Sequence, residues 1–353
     1  MMVKNLISKT TVKNIFSSIK KSINRYRYST AEWHQKRIDI AKKHYESGHF
    51  NSYWDREIQT WHKVKSHPEK LRLILGVGRS GTTWIVNTLA QTKTPICCYE
   101  EPLYAINPPL VLSRYYDYTA IGYSRESNGD LERLLYAYQI LCSDCESIFF
   151  EDMKKKKTLR NDNNCKYYLI KEVHALMATE FLVKNLSCPV LLIQREIITL
   201  IDSIMDHTGI ELNYFRSEFE SLQETKFLED FFPHKMEIIV DIIGEIEQET
   251  DARKKSIYMK ALVAYLFQEM FEIINIKYGN VMLVKYDDLI KDRDEYFSKI
   301  SKFFKFEYQE NSFNLKTARQ HIIRSEEELV SRRYKFLNSD EIEELKKLFL
   351  RLS

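Results

Sequence analysis

The chain has 353 residues, 44% of them hydrophobic, with a formal net charge of +3, enough apolar material for the core of one large α/β domain or two small ones. No stretch reaches the apolar length of a membrane span, and no signal-peptide core is present. Residues 1–31 hold seven Lys or Arg and no acid, while the remainder carries 46 basic against 50 acidic residues, a net of −4, so the folded part lacks the spread basic surface of a nucleic-acid binder.

In chain order, residues 1–65 read as a basic, helix-prone extension, and 66–353 as one catalytic domain. Val12, Ile15, Phe16, Ile19 and Ile23 share one helical face, which suits a peripheral contact with an anionic membrane or with a partner. An organellar leader and a self-packing basic terminus are the alternatives, and the cytoplasm is the expected location.

The stretch LRLILGVGRSGTTWIVNTLA, residues 71–90, combines a short apolar run, three glycines and an apolar helical period from Trp84 onward. It predicts strand, tight loop, helix, with backbone N–H groups and a helix N-terminus aimed at one anion. The spacing from Gly76 to Gly81 is that of a nucleotide-triphosphatase loop, but Thr82 stands where its lysine belongs. Arg79 is the cation inside the loop.

Further strands are expected at 95–99, 167–170, 190–194 and 281–286, separated by helical patterns. The fold class is therefore α/β, a central mostly parallel sheet of P-loop type flanked by helices, with helical inserts. The Tyr-rich segment 102–150 is read as acceptor pocket or as helical packing. The charged insert 211–255 is read as a pocket rim or an oligomer support. The six cysteines are expected to be reduced thiols, and the isolated CxxC at Cys142 and Cys145 does not make a metal site.

Four motifs together resemble the sulfotransferases that use 3′-phosphoadenosine 5′-phosphosulfate (PAPS), closest in style to those acting on carbohydrates. RSGTTW, Arg79 to Trp84, is similar to their 5′-phosphosulfate loop. Arg195, at the end of the strand PVLLIQ, and Ser203, eight residues later on the following helix, match their 3′-phosphate pair. VMLVKYDDLI at 281–290 is similar to their late strand, and CCYEEPLYAI at 97–106 to an acidic-Pro segment.

The resemblance implies that Ser80, Gly81, Thr82, Thr83 and Trp84 hold the donor's 5′ side, with Arg79 at the sulfonate and the departing oxygen. Arg195 and Ser203 would hold the 3′-phosphate, and Arg333 in the late basic segment would close the site. Transfer needs a base, either Glu101, before Pro102, or His174, in YYLIKEVH, where Lys171 assists at the sulfonate or pairs with an acid. PAPS is the expected co-substrate, with no metal required, and the acceptor a hydroxyl of a carbohydrate or small metabolite, an amine being the variant. The competing readings are a small-molecule kinase using ATP and a non-catalytic nucleotide-binding or membrane-docking protein.

Overall fold

A computed structural model describes residues 67–100, 165–173, 176–210, 215–224, 226–308 and 334–353, all within one compact unit, 57–353. The basic extension 1–65 and the Tyr-rich segment lie outside the described residues. So do Cys142 and Cys145.

Five parallel strands form one sheet: β1 (Leu71–Gly76), β2 (Ile96–Glu100), β3 (Tyr167–Glu172), β4 (Val190–Gln194) and β5 (Val281–Lys285), in the order β2-β3-β1-β4-β5. β1 lies at the centre, paired with β3 on one side and β4 on the other. All six of its residues are buried, as expected for a parallel strand covered on both faces. The late strand stops at Lys285, and Tyr286 opens a helix.

One face carries Ile74, Leu191 and Ile193. Helix α1 (Thr82–Leu89) packs there through Ile85, Val86 and Leu89, joined by Phe297, Ile300 and Phe304. Gln194 points to the opposite face, where its amide donates to the Gln268 carbonyl at 2.8 Å. Gln268 belongs to α7 (Ala252–Lys277), a 26-residue helix that at 1.5 Å per residue runs about 39 Å. β1 and β4 are neighbours; the helix after β1 packs on the first face, whereas the helix after β4 packs against α7.

The remaining helices dress this frame. They are α2 (Thr179–Leu186), α3 (Ile197–Thr208), α4 (Arg216–Glu224), α5 (Phe227–Phe231), α6 (Met236–Gln248), α8 (Tyr286–Lys291), α9 (Arg293–Phe304) and α10 (Ser339–Leu352). The charged insert packs inward on α7, with Phe227 5.3 Å from Phe231 and 6.0 Å from Phe267 between ring centroids. α10 starts at a capping box in which the Asn338 side chain accepts from Glu341 N and the Glu341 side chain accepts from Asn338 N. Among the described residues, no helix is long and apolar enough to cross a membrane.

The cysteines depart from the sequence expectation. Cys97 in β2 and Cys165, two residues before β3, are joined by a disulfide, with Cα atoms 5.7 Å apart. Strand pairing brings them together: Cys97 sits opposite Tyr168 in the β2–β3 ladder, so the approach to β3 runs alongside β2. Composition carries no trace of this pairing, because the two residues are 68 apart in sequence. Cys98 and Cys188 are buried.

Candidate functional site

The glycine loop leaves the end of β1 and turns on one hydrogen bond, Ser80 N to Val77 O at 3.0 Å. Arg79 has φ 75 and Gly81 φ 96, a left-handed region that costs side-chain-bearing residues and recurs at ligand-gripping turns. A Cβ on Gly81 would lie 2.2 and 2.4 Å from carbons of the Tyr286 ring. A Cβ on Gly76 would lie 2.5 Å from Ser80 Oγ. Both glycines are therefore favoured by close neighbours, and Gly81 by the left-handed turn as well.

Gly81 is the N-cap of α1 and no side chain caps that terminus. The opening of α3 is different. Glu196 caps it with its own carboxylate, accepting from Ile198 N at 3.0 Å and Thr199 N at 2.7 Å. Of these two helix starts, only α1 leaves its first-turn N–H groups without a side-chain cap, and an anion near α3 has to be met by side chains.

Those side chains come from two neighbouring strand exits. The Arg195 guanidinium donates from Nη1 to the Arg79 carbonyl at 2.8 Å and lies 5.3 Å from the centre of the Tyr286 ring. Arg79 Nε donates to Ser203 Oγ at 3.4 Å, a long contact. Arg79, Arg195 and Ser203 thus form one cluster, although 124 residues separate Arg79 from Ser203. Thr82 is buried and Thr83 exposed.

Ser80 is fully buried, and its hydroxyl has no hydrogen-bond partner. Beside Arg195, the amide nitrogen of Gln268 is likewise buried without one. Buried polar atoms are normally satisfied, so two orphans flanking the arginine cluster mark a polar site with hydrogen-bonding capacity to spare.

Trp84 is half-buried and turned into the fold, edge-on to Tyr286 at 5.8 Å and to Phe297 at 5.3 Å. It braces the loop from beneath. Lys171 is buried at the end of β3, opposite Glu100 in the ladder. β3 ends at Glu172, two residues before His174 in the sequence. Glu101, His174 and Arg333 lie outside the described residues.

Several residues that the motifs did not single out hold this cluster in place. Gln268 Oε1 accepts from Arg195 N at 3.2 Å and Asp287 Oδ2 from Glu196 N at 2.9 Å. Asp202, beside Ser203, accepts from the backbone N–H groups of Lys335, Phe336 and Leu337 at 3.3, 2.9 and 3.0 Å, docking the segment before α10 onto α3. The YDD triplet offered a signal for Tyr286 and Asp287. Gln268 and Asp202, on helix faces, offered none.

The loop between β1 and α1 makes this a P-loop-type fold. No family model matches the chain, and no curated protein matches it in sequence. Among solved structures, a sulfotransferase from Alicyclobacillus acidocaldarius is similar over 81% of this chain and 92% of that one, at 12% identity and a TM-score of 0.39. A likeness that slight carries no functional argument. Among the described residues, no group of three or more His, Cys, Asp or Glu is placed to hold a metal ion.

Proposed function

We propose that the protein is a sulfotransferase that moves the sulfuryl group of PAPS to a hydroxyl of a carbohydrate or small metabolite, releasing adenosine 3′,5′-bisphosphate. The observation that carries the reading is the junction of Arg195 and Ser203 with a phosphate loop that has Thr82 in place of lysine. A nucleotide with phosphates at both the 5′ and 3′ positions uses both halves of such a cluster; ATP has nothing for the second half.

The residues fit the donor. The backbone N–H groups at the start of α1 and the Ser80, Thr82 and Thr83 hydroxyls would hold the 5′-phosphate, the buried Ser80 hydroxyl having no competing partner. Arg195 and Ser203 would hold the 3′-phosphate. The donor supplies an activated sulfur whose bond to the bridging phosphate oxygen breaks as the acceptor oxygen bonds to it. Arg79 stabilises the charge that develops on the departing oxygen; being permanently protonated, it does not donate a proton. The acceptor's proton passes to a base, Glu101 or His174. In sequence, Glu101 directly follows the last residue of β2, and His174 comes two residues after the last residue of β3. The first residues 1–65 are proposed as a separate peripheral contact.

Calorimetric titration with adenosine 3′,5′-bisphosphate, against ATP with Mg²⁺, tests the donor. The reading expects the bisphosphate to bind more tightly. Preference for ATP would replace it with a kinase. Arg79→Ala should abolish sulfuryl transfer while leaving the melting temperature unchanged, and undiminished transfer would remove Arg79 from the chemistry.

A further inference from the structure

The 3′ side of the site is built on a strand exit with unusual support. β4 ends at Gln194, and the next two backbone N–H groups, of Arg195 and Glu196, have left the sheet ladder. Each is instead satisfied by a side chain from a distant element: Arg195 N by Gln268 Oε1 at 3.2 Å and Glu196 N by Asp287 Oδ2 at 2.9 Å. Gln194 reinforces the first hold, donating to the Gln268 carbonyl at 2.8 Å and to Glu272 Oε1 at 3.1 Å.

The same helix grips the far end of α3. Lys260, fully buried on α7, donates to Thr208 Oγ1 at 2.9 Å and to the Gly209 carbonyl at 2.8 Å. Lys260, Gln268 and Glu272 recur at multiples of four residues, so they share one stripe of α7. α3 carries Ser203 and begins directly after Arg195 and Glu196. The stripe therefore holds the arginine at one end of α3 and the helix terminus at the other, which fixes the separation of Arg195 from Ser203.

We infer that Gln268 is a positioning residue that sets specificity for a 3′-phosphorylated nucleotide, acting through the Arg195 backbone rather than by contact with the reacting atoms. The inference rests on the proposed donor site. Arg195 has a second duty that makes its placement matter: its guanidinium fixes the Arg79 carbonyl at the left-handed turn of the loop. Freed from Gln268, the strand exit shifts, and a bidentate donor displaced by even an ångström loses much of its alignment with a phosphate. The 5′ side keeps its own support, the uncapped start of α1 and the Gly81 contact with Tyr286.

The test compares adenosine 3′,5′-bisphosphate with AMP, by calorimetry, on the full chain and on Gln268→Met, which preserves side-chain length and removes the amide. The expected result is about a tenfold loss for the bisphosphate, the order of effect of weakening one hydrogen bond to a charged group, with AMP affinity changed less than about twofold. Equal losses for both ligands would make Gln268 merely structural and overturn the inference. So would an unchanged preference in the variant. A wild-type protein that does not prefer the bisphosphate would overturn the donor reading and the inference with it. If Gln268→Met fails to fold, Gln268→Asn, which keeps the amide one methylene short of Arg195 N, is judged by the same ratio.

Discussion

Gly81→Ala tests the geometry of the phosphate loop at its tightest point. Two costs are separable. The backbone at φ 96 would have to accept a side chain in the left-handed region, at about 1–2 kcal/mol. The new methyl would also fall 2.2 and 2.4 Å from the Tyr286 ring. That ring is held edge-on by Trp84 at 5.8 Å and lies beneath Arg195 at 5.3 Å, so it has little freedom to retreat, and overpacking of this kind costs about 1–3 kcal/mol. The sum is ~2–5 kcal/mol. A double-mutant cycle with Tyr286→Ala, read by urea denaturation, divides it. In the Tyr286→Ala background only the backbone cost of ~1–2 kcal/mol should remain, leaving a coupling of about 1–3 kcal/mol. A coupling within ~0.5 kcal/mol of zero would show that Tyr286 does not confine the loop. Nucleotide binding should fall in Gly81→Ala and recover in part when the ring is removed.

Three further outcomes follow from the packing. Reduction of the Cys97–Cys165 bond, whose partners are 68 residues apart, should lower stability by about 4 kcal/mol on the loop-entropy estimate; non-reducing peptide mapping would detect the linked pair, and two free thiols there would refute it. Burial pushes the Cys188 thiol up to about 12, against the pull of the Arg72 guanidinium. Because its folded pKa is raised, its contribution is fully present below the unfolded value of about 8.5 and is lost as pH climbs toward 12. Iodoacetamide at pH 9 should therefore modify Cys188 only in denaturant, and modification in the native protein at the rate of a free thiol would contradict this placement. Asp202→Ala removes the acceptor of three backbone N–H groups, so amide exchange at Lys335, Phe336 and Leu337 should accelerate at least tenfold, whereas unchanged protection would mean that another element holds the segment.

The sequence by itself determined the local pieces of the site. Glycine spacing and hydrophobic period are short-range signals, and they located β1, the loop and α1, as well as β4 with Arg195 at its exit and Ser203 on the helix beyond. An apolar run followed by a glycine turn is dictated by the residues that form it. The late YDD segment marked the end of β5 within one residue. The sequence could not supply the neighbours across the fold. Strand order alone placed β1 beside β4 and brought Arg195 to the Arg79 carbonyl across 116 residues. Packing alone laid Tyr286 on Gly81, turned Trp84 inward, set Gln268 under Arg195 and paired Cys97 with Cys165. These contacts join side chains on elements far apart in the chain, and neither periodicity nor composition encodes which distant face a helix will meet. The glycine loop, the two arginines and the serine were therefore legible in the residues, while the distances that bring them together came from the tertiary structure.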